Sequence, residues 1–158
     1  MENHDDICAM CHKPLTDHQV LFDQRIERME YLPVGPGFQA MAFVLYADDI
    51  GCYCSTTCAD VGITKGLQEL GIARAETSIG PITNCGKCGS IIDMIQPHVH
   101  YVQMGVTLSE TPSQKTMTVT HDSGLGYVCA NCDPDAVLLA ASEQEQPITQ
   151  EETSLARA

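Results

Sequence analysis

The chain has 158 residues with 21 acids against 8 bases, a formal charge of −13 at pH 7, 44% hydrophobic residues, 5% aromatic residues and no Trp. So acidic a molecule repels nucleic acid and anionic membrane unless a local basic patch overrides its field, and Lys13, Arg25, Arg28, Lys65, Arg74, Lys87, Lys115 and Arg157 are too dispersed to form one. No segment approaches the roughly 18 consecutive apolar residues of a membrane span, and the acidic start Met1-Glu2-Asn3-His4-Asp5-Asp6 lacks a secretory pattern, so a cytoplasmic location with reduced thiols is expected.

In chain order the first signal is Cys8-Ala9-Met10-Cys11, a CxxC knuckle. After the turn residues Gly35-Pro36-Gly37, the near-continuous apolar run Gln39 to Tyr46 predicts a buried strand. Cys54-Ser-Thr-Thr-Cys58 follows. Ser55 is placed to cap a helix whose Ile63, Leu67 and Leu70 fall at i, i+4 and i+7, and Gly71 is placed to end it. Cys85-Gly86-Lys87-Cys88 is a second CxxC, with Gly86 and Gly89 giving freedom for a tight turn. Ala9 and Met10 leave the first knuckle without that freedom. His98 to Leu108 and the alternating Thr116 to His121 read as pairing strands. After Cys129 and Cys132, Asp133-Pro134-Asp135 supplies an N-cap acid, an N1 proline and a further acid ahead of helix Ala136 to Ala141.

These signals occur twice. The CxxC pairs at 8 and 85 lie 77 residues apart, and Cys54 and Cys58 lie 75 and 74 residues before Cys129 and Cys132. An internal repeat is therefore expected, with one module over 1–78, a second over 79–142 and an acidic, disordered tail over 143–158. Modules of this size bury small cores and need a staple. In a reducing compartment paired cysteines are metal ligands before they are disulfides, so Cys8, Cys11, Cys54 and Cys58 are expected to hold one structural Zn²⁺ and Cys85, Cys88, Cys129 and Cys132 another. Cys52 has no counterpart. It is either a packed thiol or a substitute for Cys54, while His4, His12 and His18 lie near the first knuckle as spare ligands.

The order knuckle, strands, cysteine pair, helix resembles the treble-clef zinc finger, and Tyr53-Cys54-Ser55-Thr56-Thr57-Cys58 is similar to the C-x3-C half of small modules of that type. The resemblance covers residues 8 to about 72 and 85 to about 142. It implies an α+β fold of two tandem treble-clef-like zinc modules, each with knuckle, β-hairpin and short helix. Function does not follow from it, because treble clefs serve binding modules and nucleases alike. CxxC pairs closing on one metal, with Cys88-Gly89, also resemble rubredoxin, which implies iron; the usual aromatic cluster is missing.

His-Me endonucleases also use treble clefs, and the candidates for their catalytic residues are His98, His100 and His121-Asp122, the last resembling the HD segment of zinc-bound recombination nucleases. Ser123 stands where a second histidine is expected, and no Arg or Lys follows to hold phosphate. No Gly-rich phosphate loop, GxSxG or HExxH is present. The expectation is thus a non-enzymatic, acidic protein-binding module, an adaptor or an inhibitor that occupies a basic, nucleic-acid-binding surface of a partner. The alternatives are a nucleic-acid-binding zinc-ribbon regulator and a His-Me nuclease.

Overall fold

The computed structural model describes residues 7–78 and 80–144, so beyond Gln144 the expected acidic tail lies outside the described residues. Strands β1 (His18–Val34) and β2 (Gly37–Tyr53) form one long antiparallel hairpin, and β5 (His98–Thr111) and β6 (Gln114–Val128) form another. Helix α1 (Thr56–Leu70) follows the first hairpin and α2 (Pro134–Gln144) the second. Short strands β3 (Ile82–Asn84) and β4 (Ile91–Asp93) pair between them.

The two hairpins join edge to edge. β1 pairs antiparallel with β5 from His18↔Thr107 to Glu27↔His98, giving a single four-stranded sheet of order β2-β1-β5-β6. This corrects the expected fold class. The molecule is mostly antiparallel β-sheet, with strands of 17, 17, 14 and 15 residues against helices of 15 and 11, and no treble-clef pattern emerges. The physical reason lies in β1. From Val20 to Glu27 it pairs with β2 on one side and β5 on the other, which joins the hairpins into a sheet much larger than a small zinc module.

Each hairpin carries two bulges, and they fall in matching places. Ile50 and Leu45 are the extra residues on β2, while Leu125 and Thr120 are the extra residues on β6, both pairs 75 positions apart. Bulges increase local twist, so both hairpins bend at the same distance from their cysteines.

Alternation gives the sheet two faces. Phe22 and Gln24 face the helices: a Cβ on Gly66 of α1 would lie 3.0 Å from Phe22, and the Gln24 amide donates to the Asp133 carboxylate just before α2 at 3.1 Å. Val20, Phe22, Ile26, Val99 and Tyr101 join Ile63 and Leu67 of α1 in the main core. The helix approaches closely because Gly62 leaves room for Tyr53, whose ring atoms lie as near as 2.3 Å to where a Cβ would stand. Ala59, Ile63 and Leu67 form its buried stripe, whereas Leu70 is 37% exposed. Among the described residues no helix is long and apolar enough to cross a membrane.

Both ends of α1 follow from the sequence. Ser55 is extended and its hydroxyl accepts from Cys58 N at 3.2 Å, while Gly71 takes the left-handed conformation at φ 72° and donates to Gln68 O. Ser55→Ala is expected to cost about 1 kcal/mol, read as a lower urea midpoint at unchanged slope; an unchanged midpoint would mean the cap contributes nothing.

Candidate metal centres

Each knuckle is a tight turn closed by its own backbone. Cys8 N donates to Lys13 O and Cys85 N to Ser90 O, both at 2.8 Å; His12 N then donates to Cys8 O at 3.0 Å and Gly89 N to Cys85 O at 2.9 Å. The turn requires a left-handed residue. Gly89 supplies it at φ 75°, and in the first knuckle His12 supplies it at φ 62°, about 1–2 kcal/mol dearer for a residue with a side chain. His12 thus replaces the glycine whose absence made this knuckle hard to read.

The fold brings Cys8, Cys11, Cys54 and Cys58 together, and likewise Cys85, Cys88, Cys129 and Cys132; within each quartet all sulfurs lie within 4.8 Å of one another. Cys54 directly follows the end of β2 and Cys58 sits in the first turn of α1. No two cysteines are joined by a disulfide. Sulfur separations are 3.6 Å for Cys11–Cys54, 3.8 Å for Cys54–Cys58, 3.8 Å for Cys85–Cys132 and 3.7 Å for Cys88–Cys129. Each quartet could hold a metal ion. Cys52 lies outside the first quartet and packs against Leu21, Met104 and Val106.

The protein prepares some of these thiols for ionisation. Burial opposes the Cys8 thiolate, yet backbone N–H groups of Cys11, Cys54 and Met10 outweigh it and bring the thiol down to about 6. Cys88 also falls to about 6, chiefly through the hydroxyl of Ser90 at 2.8 Å. Burial works against Cys85 too, but amides of Cys129, Cys88 and Lys87 win and lower it. Cys54 and Cys132 go the other way, to about 12, because each shares a proton with neighbouring sulfurs, Cys11 and Cys129 foremost. A quartet of sulfurs by itself keeps protons; four thiolates need a cation among them.

A second polar cluster occupies the sheet face away from the helices, where Asp23, Arg25 and Glu27 of β1 lie opposite Val102, His100 and His98 of β5. Glu27 Oε1 is 2.8 Å from His100 Nδ1, a charge contact off the axis of an ideal ring N–H hydrogen bond, and 3.6 Å from His98 Nε2. Burial works against its charge, but the two imidazoles prevail and hold the Glu27 carboxyl down to about 2. His98 Nδ1 donates to Gln96 O at 2.8 Å. Burial and a shared proton with Asp49 push Asp23 up to about 7. Arg25 pairs with Asp122 at 3.1 Å.

The nuclease candidates therefore separate. His98 and His100 are buried against Glu27, whereas His121 is exposed on β6 and lies over Gly105, its ring 2.2 Å from where a Cβ would stand. Sequence reasoning missed Asp23, Arg25, Glu27 and Tyr127. The alternation in Pro97-His98-Val99-His100 does place both histidines on one face, but their acidic partner is some 70 residues away in sequence and only the β1–β5 register reveals it. Compared with protein-family models, curated proteins and solved structures, the chain matches none.

Proposed function

We propose that each quartet holds one Zn²⁺ as a structural ion, and that the resulting scaffold is a non-catalytic, acidic protein-binding module acting as an adaptor or inhibitor of a partner with a basic surface. The observation that carries the zinc reading is the sulfur spacing. A tetrahedron with Zn–S of about 2.3 Å has S···S edges of about 3.8 Å, and the closest separations are 3.6 to 3.8 Å. Four cysteines close the coordination sphere and leave no open position, as structural sites do. Iron would fit the same tetrahedron but would colour the protein, so a colourless protein is expected.

The two halves read as duplicated copies of one unit. Support comes from the matched bulges, the matched knuckle hydrogen bonds and the matched cysteines. Such a duplication produces a scaffold with two metal staples and long, projecting hairpins.

For partner binding, the support is surface chemistry. Asp48, Asp60 and Glu69 are exposed on the first half, and the β1–β2 arm exposes Leu32, Val34, Phe38, Met41 and Val44. Exposed acidic groups steer a basic partner, and exposed apolar side chains then bury area against it. The test is capture of a partner from the native host by the zinc-loaded protein, with release at raised salt and loss in an Asp48→Asn, Asp60→Asn, Glu69→Gln variant. Capture that ignores both salt and charge removal would contradict the electrostatic reading. A salt-dependent shift of DNA would favour a nucleic-acid-binding regulator, and Mg²⁺-dependent plasmid nicking lost in His121→Ala would favour a nuclease.

A further inference from the structure

The Glu27–His98–His100 cluster is a costly thing to bury, since apolar residues of the same size would pack there at equal or greater stability. His98 Nε2, His100 Nδ1 and His100 Nε2 all lack a hydrogen-bond partner, but the first two lie against the Glu27 carboxylate and the third does not. His100 is 6% exposed, and its Nε2 has no hydrogen-bond partner; leaving such a group unsatisfied costs about 1–3 kcal/mol. The ring itself is fixed. It stacks on Tyr127 at 4.2 Å with planes 8° apart, and its Nδ1 faces Glu27.

His100 lines a cavity of about 310 Å³, within the usual size of small-molecule sites. Gly124 keeps its floor open. A Cβ there would stand 3.0 Å from His100 Nε2 and 2.1 Å from Thr77 Oγ1, so no side chain fits between them. Arg25 lines the same cavity, held by Asp122, whose side chain is 45% exposed. Glu27, Thr77 and Ser78 complete its polar side, while Met29, Ala40 and Ala42 form an apolar side that carries the cavity along the β1–β2 arm.

We propose that this cavity binds a small organic acid, its carboxyl group between Arg25 and His100 Nε2 and its apolar body on Met29, Ala40 and Ala42. The guanidinium supplies the charge and fork geometry that carboxylates prefer. His100 Nε2, with no partner of its own, opens on the same space as the guanidinium and offers the carboxyl group its second polar contact. The charged and titratable groups facing His100 are Glu27 and Arg25 from β1 and Asp122 and Tyr127 from β6, with His98 reached through Glu27. The linker contributes Thr77 and Ser78, and β2 contributes Ala40 and Ala42, none of which carries charge.

The test titrates the zinc-loaded, full-length protein with sodium hexanoate while following the His100 ring by nitrogen NMR, with hexanol in parallel. Expected are a saturable shift of the His100 ring signals with hexanoate and none with hexanol. Arg25→Gln should weaken binding at least tenfold. Asp122→Asn, a change at a half-exposed side chain, should tighten it severalfold by releasing Arg25. An unshifted His100 signal, an equal response to hexanol, or weaker binding in Asp122→Asn would overturn the proposal. It stands or falls independently of the zinc and partner readings.

Discussion

Exhaustive removal of metal by a chelator is expected to unfold the cysteine-bearing ends of both hairpins and to collapse the cooperative thermal transition. A structural Zn²⁺ contributes roughly 10–16 kcal/mol of apparent binding free energy, against roughly 5–15 kcal/mol for the net stability of a whole domain. Cys54 and Cys132 are pushed up to about 12 by proton sharing with their neighbours, so the apo quartets retain protons and lose the four-way attraction to a central cation. α1 carries Cys58 of the first quartet in its first turn, and α2 begins just after Cys132 of the second, so both helices are expected to fray with the metal. Near-UV and far-UV circular dichroism read this directly. Spectra unchanged after complete metal removal would show that the hairpins and core suffice alone.

Glu27→Gln is the second large effect, an expected loss of about 3–5 kcal/mol, because it leaves two buried imidazoles facing a neutral amide in place of their carboxylate. Its pH dependence has a definite sign. The folded-state carboxyl is depressed from an ordinary 4.5 to about 2, so its stabilisation is fully present above about 4.5 and is lost as pH falls toward 2. The difference in unfolding free energy between wild type and variant should therefore be constant from neutrality down to about 4.5 and shrink below that. Comparing the two proteins at each pH with identical zinc loading removes the contribution of metal loss in acid. A difference that is small at pH 7, or that grows in acid, would mean that Glu27 is not the anion of this cluster.

What could be read from the sequence was local. Ligand spacing in Cys8–Cys11, Cys54–Cys58, Cys85–Cys88 and Cys129–Cys132 is written within a few residues of chain, and both quartets assemble as grouped. The same holds for the Ser55 and Gly71 ends of α1. Strand β1 was hidden because Asp23, Arg25, Glu27, Arg28 and Glu30 interrupt its apolar residues, which makes a central strand look like a polar connection. Asp23, Arg25 and Glu27 are tolerated because they face Asp49, Asp122 and the β5 histidines across strands, while Arg28 and Glu30 pair with each other. The β1–β5 pairing that brings Glu27 to its histidines joins residues about 70 to 90 positions apart, and no local periodicity encodes it. For that reason the sequence suggested two small α+β modules where the two long hairpins share one four-stranded antiparallel sheet.

The central claim is that two closed four-sulfur centres staple this sheet. X-ray absorption at the zinc edge on the purified full-length protein, with zinc counted per chain, tests it most directly. The account predicts two zinc ions per chain and a single shell of four sulfurs at about 2.3 Å. A nitrogen or oxygen shell, or one zinc where two are expected, would contradict it.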